Sequence, residues 1–149
     1  MQCQSGCSDC CHVRLTITPV EAAAIRDHVA GMPRAARVAL APTGPADRCA
    51  ALDAVGRCKI YEARPLVCRS HGVPIRMQRR GLPVVDACHR NFRTVTPDAD
   101  CILDQTTLSA TLLAIDAAEA PARSPEKAPD KAPAMRVELA RLLAELAAI

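Results

Sequence analysis

The sequence predicts a mainly α fold with irregular cysteine-rich loops: a small, metal-stabilised single domain followed by a C-terminal helix. Three observations lead there. Several stretches carry helical periodicity with recognisable ends. Nine cysteines fall mostly outside those stretches. The 149 residues hold one Tyr, one Phe and no Trp, although half of them are apolar. Small apolar side chains remove less surface from water per residue, so something besides a hydrophobic core is expected to hold the fold. Thiol chemistry is the candidate.

Residues 1–12, MQCQSGCSDCCH, are too polar and cysteine-dense for a regular element and read as a loop. A helix is expected from Thr18: threonine as N-cap, Pro19 at the first helical position, Glu21 placed for a capping box, and Gly31 as the stop. A shorter helical piece runs from Pro33 to about Leu40 and ends at Pro42. Between Cys49 and Cys101 short elements alternate with Gly and Pro. Pro65 to Ser70 fits one or two helical turns. Pro74–Met77 and Leu82–Val85 suit a hairpin around Arg79-Arg80-Gly81. A second long helix is expected from about Pro97 to Ala118, capped by Thr96, with Ile102, Leu108, Leu112 and Ile115 on its apolar face. Residues 120–134 contain four prolines among Ala, Lys and Glu and read as an extended linker. A last helix, about Ala134 to Ala148, places Met135, Leu139, Leu142, Leu143 and Leu146 on one stripe. That stripe covers either the domain's own core or a partner. The expected division is therefore a cysteine-cluster domain over 1–118, a Pro/Ala-rich linker over 119–134 and an amphipathic helix over 135–149.

Composition bounds the function. No run of about 18 apolar residues occurs, and the first 15 residues lack an apolar signal core, so neither membrane span nor signal peptide is expected. The expected compartment is the cytoplasm, where thiols stay reduced. Nine cysteines there, an odd number, read as metal ligands before disulfides. Residues 1–95 carry 14 Lys/Arg against 7 Asp/Glu, and residues 96–149 carry 5 against 9. The basic part is also the cysteine part, which suits thiolate-rich metal centres electrostatically. A nucleic-acid surface is disfavoured, because no long basic run and almost no stacking aromatic accompany the charge.

The cysteines are spaced Cys3-x3-Cys7-x2-Cys10-Cys11, then Cys49, Cys58, Cys68, Cys88 and Cys101. Any three of the first four can wrap one centre from a tight loop. Adjacent Cys10 and Cys11 are expected to point apart, serving two centres or sending one thiol to the core. Cys101, on an expected helix, reads as a small buried hydrophobe. Such density fits cysteine-ligated zinc or an iron–sulfur cluster.

The C-x3-C-x2-C-C start, the later C-x8-C-x-I-Y-E-x-R-P-x-x-C-R (Cys49 to Arg69), Ser70 to Pro74, and Cys88-His89-Arg90-Asn91-Phe92 resemble the YkgJ-type cysteine-cluster proteins, a zinc- or iron-chelating family. The Leu103-Asp104 helix start is also similar. The resemblance covers roughly residues 3–115. It implies eight metal-binding cysteines: Cys3, Cys7, Cys10, Cys11, Cys49, Cys58, Cys68 and Cys88. They suffice for two four-ligand sites, or for one cluster with four to spare. The family is similar to the N-terminal part of flagellin lysine N-methylases, which implies a [4Fe-4S] cluster as one cofactor; Zn or Fe ions are the other.

Arg64 and Arg69 bracket Pro65 to Cys68 and can stabilise thiolate charge or bind an anionic ligand, or else pair with Glu62. His71, three residues past Cys68, can complete a Cys3His site, donate from beside the centre, or lie in a solvated turn. Tyr61 and Phe92 are expected in the core. The leading reading is a cytoplasmic metal-binding protein holding an iron–sulfur cluster or zinc or iron through thiolates. Two alternatives stand beside it. One is an accessory or redox enzyme acting on peptide or protein substrates; the chain lacks the Gly-rich strand–turn–helix of a complete methyltransferase. The other is a metal-carrying adaptor docking a protein partner through its last helix.

Overall fold

A computed structural model describes residues 2–4, 6–45, 47–119 and 135–149. The expected linker, residues 120–134, lies outside them. Thr18 and Glu21 start the first helix as their spacing requires. Helix α1 spans Pro19–Ala30, and the capping box is complete: Thr18 Oγ accepts from the Glu21 N–H, and the Glu21 carboxylate accepts from the Thr18 N–H at 2.9 Å. Two donors without intrahelical partners are thereby satisfied. Gly31 closes the helix with ordinary right-handed φ, so its stop does not use the left-handed freedom of glycine. Helix α2 follows at Arg34–Val38 and helix α3 at Leu66–Ser70.

The hairpin forms from β2 (Ile75–Arg79) and β3 (Leu82–Asp86), antiparallel, with Met77 opposite Val84. Its two-residue turn, Arg80-Gly81, has φ of 53° and 78°. Positive φ at both positions matches the right-handed twist of the flanking strands. The helix expected from Pro97 starts later. Residues Ala99–Cys101 make one 3-10 turn, Leu103–Asp104 form a short strand β4, and helix α4 covers Gln105–Glu119. The reason is tertiary: Leu103 N–H donates to Pro74 O and β4 pairs in parallel with Ile75–Arg76, holding the chain extended. Asp104, accepting from the Thr107 N–H at 2.8 Å, then supplies the cap expected of Thr96. Asp116 docks α4 on α1, accepting from the Val20 N–H at 2.8 Å.

The last helix, α5 (Leu139–Ala147), follows strand β5 (Val137–Glu138), which pairs antiparallel with β1 (Thr16–Ile17). Leu139, Leu142 and Leu143 are buried with Ile17, Ala22, Ile25, Val29, Leu40 and Ile60. The apolar stripe of α5 thus lies in the chain's own core, beside α1, while Met135 is exposed.

The mainly α expectation is corrected by these pairings. The chain is about 42% helix and 14% strand, with five α-helices, a two-stranded sheet β1-β5 and a three-stranded sheet β3-β2-β4 among the described residues. Two-residue strands leave no alternating pattern to read, and β1 meets a partner some 120 residues away. Tyr61 is also not core. It is 56% exposed, with the Arg64 guanidinium 3.7 Å from its ring centroid.

Candidate metal centre

The thiols gather where loops meet the edge of the core. Cys10 and Cys11 sit on a 3-10 turn, Asp9–Cys11. Their sulfurs are 4.0 Å apart, so the two side chains share one neighbourhood instead of diverging. The Cys49 N–H donates to Cys11 O at 2.7 Å, stapling the N-terminal loop to the loop that follows α2. Cys58 comes back opposite Leu52 in an isolated antiparallel bridge, and Lys59 N–H donates to Ala51 O. The turn between is shaped by Asp53, whose carboxylate accepts from the Val55 and Arg57 N–H groups. Cys49 and Cys58 pack against the apolar core. Cys68 arrives on α3.

The ionisation of these thiols reflects burial first and neighbouring thiols second. Burial, then the adjacent Cys10 and the nearby Cys49 and Cys68, push the Cys11 thiol up to about 12. Burial, then Cys49, Cys58 and Cys10, push Cys68 up to about 11, against the pull of Arg64. Cys58 is raised by burial and by Cys49, opposed by the Ile60 N–H and by Arg64. Desolvation and mutual repulsion both disfavour bare thiolates here. A bound cation supplies what they lack, and soft sulfur donors are the right chemistry for zinc or iron. Among the described residues no three His, Cys, Asp or Glu side chains are arranged to hold a metal ion as they stand. The thiol donors suit such a metal chemically, but they are not gathered into a ligand set as they stand.

A second set lies around Asn91. Cys3 Sγ accepts from Asn91 Nδ2 at 3.4 Å, and the Asn91 N–H donates to Cys88 O at 2.8 Å. Arg90 is raised chiefly by its bond to Asp9, with Cys7 and Cys88 contributing weakly. All nine cysteines are free thiols. Cys101 is exposed rather than buried, because the segment carrying it is a surface 3-10 turn and not the body of a helix.

The Arg64 guanidinium opposes the upward shifts of Cys58 and Cys68, and it donates to Tyr61 O. Arg69 instead braces the backbone, donating to Arg64 O at 2.9 Å and to Glu62 O. Neither makes an ion pair with the Glu62 carboxylate among the described residues. Both line an open groove of about 510 Å³ with Leu108, Leu112 and Ile115. His71 is exposed and caps α3 through its backbone; it is the next residue, Gly72, that faces Cys3. Sequence reasoning missed three residues. Glu21 has a second carboxylate oxygen that accepts from the Leu66 N–H at 2.8 Å, capping the helix that bears Cys68. Arg90 and Asn91 stood within the Cys88–Phe92 motif, but no spacing rule marks their roles.

Thiols drawn from distant segments to the rim of a small core define a small cysteine-rich domain. Residues 2–96 match the family described as "CxxCxxCC: Putative zinc- or iron-chelating domain", and the chain belongs to that family. Its first step here is C-x3-C, one residue longer than the family's namesake pattern, and a turn takes up the extra residue: Cys7 N–H donates to Gln4 O, with Gly6 at φ +86°. No curated protein and no solved structure matches the chain. Among the described residues no helix is long and apolar enough to cross a membrane.

Proposed function

We propose that the chain holds an iron–sulfur cluster through the thiolates of Cys11, Cys49, Cys58 and Cys68, with Cys10 as the adjoining fifth thiol, and that it works in the reducing cytoplasm. One observation carries this reading: four separated segments bring Cys10, Cys11, Cys49, Cys58 and Cys68 to the core edge, where the Cys10 and Cys11 sulfurs lie 4.0 Å apart, Cys49 N–H donates to Cys11 O, and burial with neighbouring thiols raises Cys11, Cys58 and Cys68. Zinc sites built from paired C-x2-C knuckles use local pairs, whereas here only Cys7-x2-Cys10 has that step. A cluster tolerates ligands collected from several loops, and burial of its sulfurs tunes its potential. Arg64 offsets the negative charge of the ligand set, and Glu21 holds α3 and Cys68 in place. When bound, the cluster supplies one-electron chemistry. The test is anaerobic purification followed by iron, zinc and acid-labile sulfide analysis with a visible spectrum. A brown protein with matched iron and sulfide supports the cluster; a colourless protein with stoichiometric zinc replaces it with a zinc centre.

A further inference from the structure

Helix α4 has no buried side: none of its 15 residues is buried, and Ile115 is 47% exposed. It is held towards its two ends, by the β4 pairing that precedes it and by Asp116 on the Val20 N–H. Between those ties α4 stands off α1 and leaves the open groove of about 510 Å³, walled by Leu108, Leu112 and Ile115 on one side and Ala24 on the other. We propose that this groove binds a straight-chain fatty carboxylate, with its head group on Arg64 and Arg69 and its alkyl chain along α4. The thiols take no part in this binding.

The head-group end is preformed. Arg69 Nε donates to Arg64 O at 2.9 Å and a terminal nitrogen donates to Glu62 O, which fixes the side chain against the backbone. Arg64 Nε donates to Tyr61 O at 3.1 Å, and its guanidinium lies 3.7 Å from the centroid of the Tyr61 ring. The terminal nitrogens of Arg64 have no hydrogen-bond partner among the described residues. A planar donor group already held in place suits a carboxylate and loses little freedom on binding it. Two carboxylates share the groove. Glu21 has both oxygens taken, by Thr18 and by the Leu66 N–H, and Glu62 pairs with neither arginine among the described residues. The acceptor that the two guanidiniums lack is one that a ligand brings.

The rest of the lining selects an alkyl chain. Leu108, Leu112 and Ile115 lie within α4, whose backbone groups are paired along the helix. An extended peptide laid against them would leave its amides without partners, whereas a hydrocarbon chain has none to satisfy. A helical peptide, about 10–12 Å across, is too wide for a groove of this volume. The volume does lie within the roughly 300–1,000 Å³ of small-molecule sites, which are likewise mostly apolar with a few placed polar groups.

The experiment uses the full chain, reduced and as isolated, titrated calorimetrically with hexanoate, octanoate, decanoate and octan-1-ol below their micellar concentrations. One decanoate should bind per chain, with affinity rising about two- to fourfold for each added methylene. Octan-1-ol should bind about tenfold or more weakly than octanoate, because it brings no charge to the guanidiniums. Ile115→Glu, at an exposed position, and Arg64→Gln should each weaken decanoate binding about tenfold or more. Circular dichroism checks that both variants fold; should Arg64→Gln not fold, Ile115→Glu decides. No decanoate bound, equal affinity for octanoate and octan-1-ol, no dependence on chain length, or binding unchanged in the variants would each overturn the proposal. Sedimentation of the same samples tests a second copy of the chain as the occupant: a dimer that Ile115→Glu dissociates, with no decanoate bound, also overturns it. Metal content measured alongside decides the cluster reading separately, since no cysteine lines the groove.

Discussion

Replacing Glu21 by alanine should weaken the thiol centre without touching a thiol. The Glu21 carboxylate accepts from Thr18 N–H at 2.9 Å and Thr18 Oγ–H at 3.0 Å, and through its other oxygen from Leu66 N–H at 2.8 Å. Helix α3 has five residues, and Pro65 at its N-cap offers no side-chain cap. So short a helix does not hold itself together. Its first turn depends on an acceptor from α1, and Cys68 sits at its third position. Hydrogen bonds to a charged group contribute about 1.5–3 kcal/mol each, but Glu21 is partly exposed and the bonds share one group, so roughly 2–4 kcal/mol is expected for Glu21→Ala. For a chain of this size that is a fall in Tm of roughly 4–12 °C. Metal retention against a competing chelator should fall about tenfold or more, as for other changes just behind a ligand. Thr18→Ala is the discriminating control. It breaks only the capping box, costs about 1 kcal/mol, and leaves the α3 cap intact. Guanidinium unfolding of the metal-free chain and chelator competition of the loaded chain measure the two effects separately. Equal metal retention in Glu21→Ala and Thr18→Ala would refute the idea that Glu21 positions Cys68.

Cys68→Ser and Cys10→Ser should lose more metal than Cys101→Ser, since Cys101 is exposed and outside both thiol sets; elemental analysis of the three variants decides, and equal content would sink the ligand assignment. Leu142→Ala, in the core between α5 and α1, should destabilise the chain by about 2–5 kcal/mol in denaturant unfolding, because a buried leucine leaves both lost burial and a cavity. A loss near zero would mean that α5 does not share this core. Asp104 has a carboxyl held below its usual range, first by the Thr107 N–H. A folded pKa below the unfolded value adds stability that is present above the ordinary aspartate pKa and is lost as pH falls through the depressed one. Asp104→Ala should therefore flatten the acid limb of the stability curve, read by circular dichroism; an unchanged limb counts against the cap.

Much of the local structure was legible before any coordinates. Thr18, Pro19 and Glu21 define the start of α1 within four residues. Arg80-Gly81 marks the hairpin turn, and the cysteine and I-Y-E-x-R-P spacing identifies the family. Caps, turns and ligand inventories are short-range, so residue type and spacing contain them. The start of α4 escaped because a strand pairing with Ile75–Arg76, not Thr96 and Pro97, decides it. The fold class escaped for the same reason: two-residue strands exist only through partners far along the chain. The grouping of the thiols is the clearest case. Sequence supplied eight candidate ligands and left their partition open, and it suggested that Cys10 and Cys11 diverge. Only the folded chain, through contacts such as Cys49 N–H to Cys11 O and Gln2 N–H to Asn91 Oδ1 across 89 positions, brings Cys49 to Cys11 and sets Cys3 beside Asn91, whose N–H holds Cys88 O. Those contacts depend on how loops pack at the rim of a core that α1 and α5 build together, and no spacing along the chain encodes that.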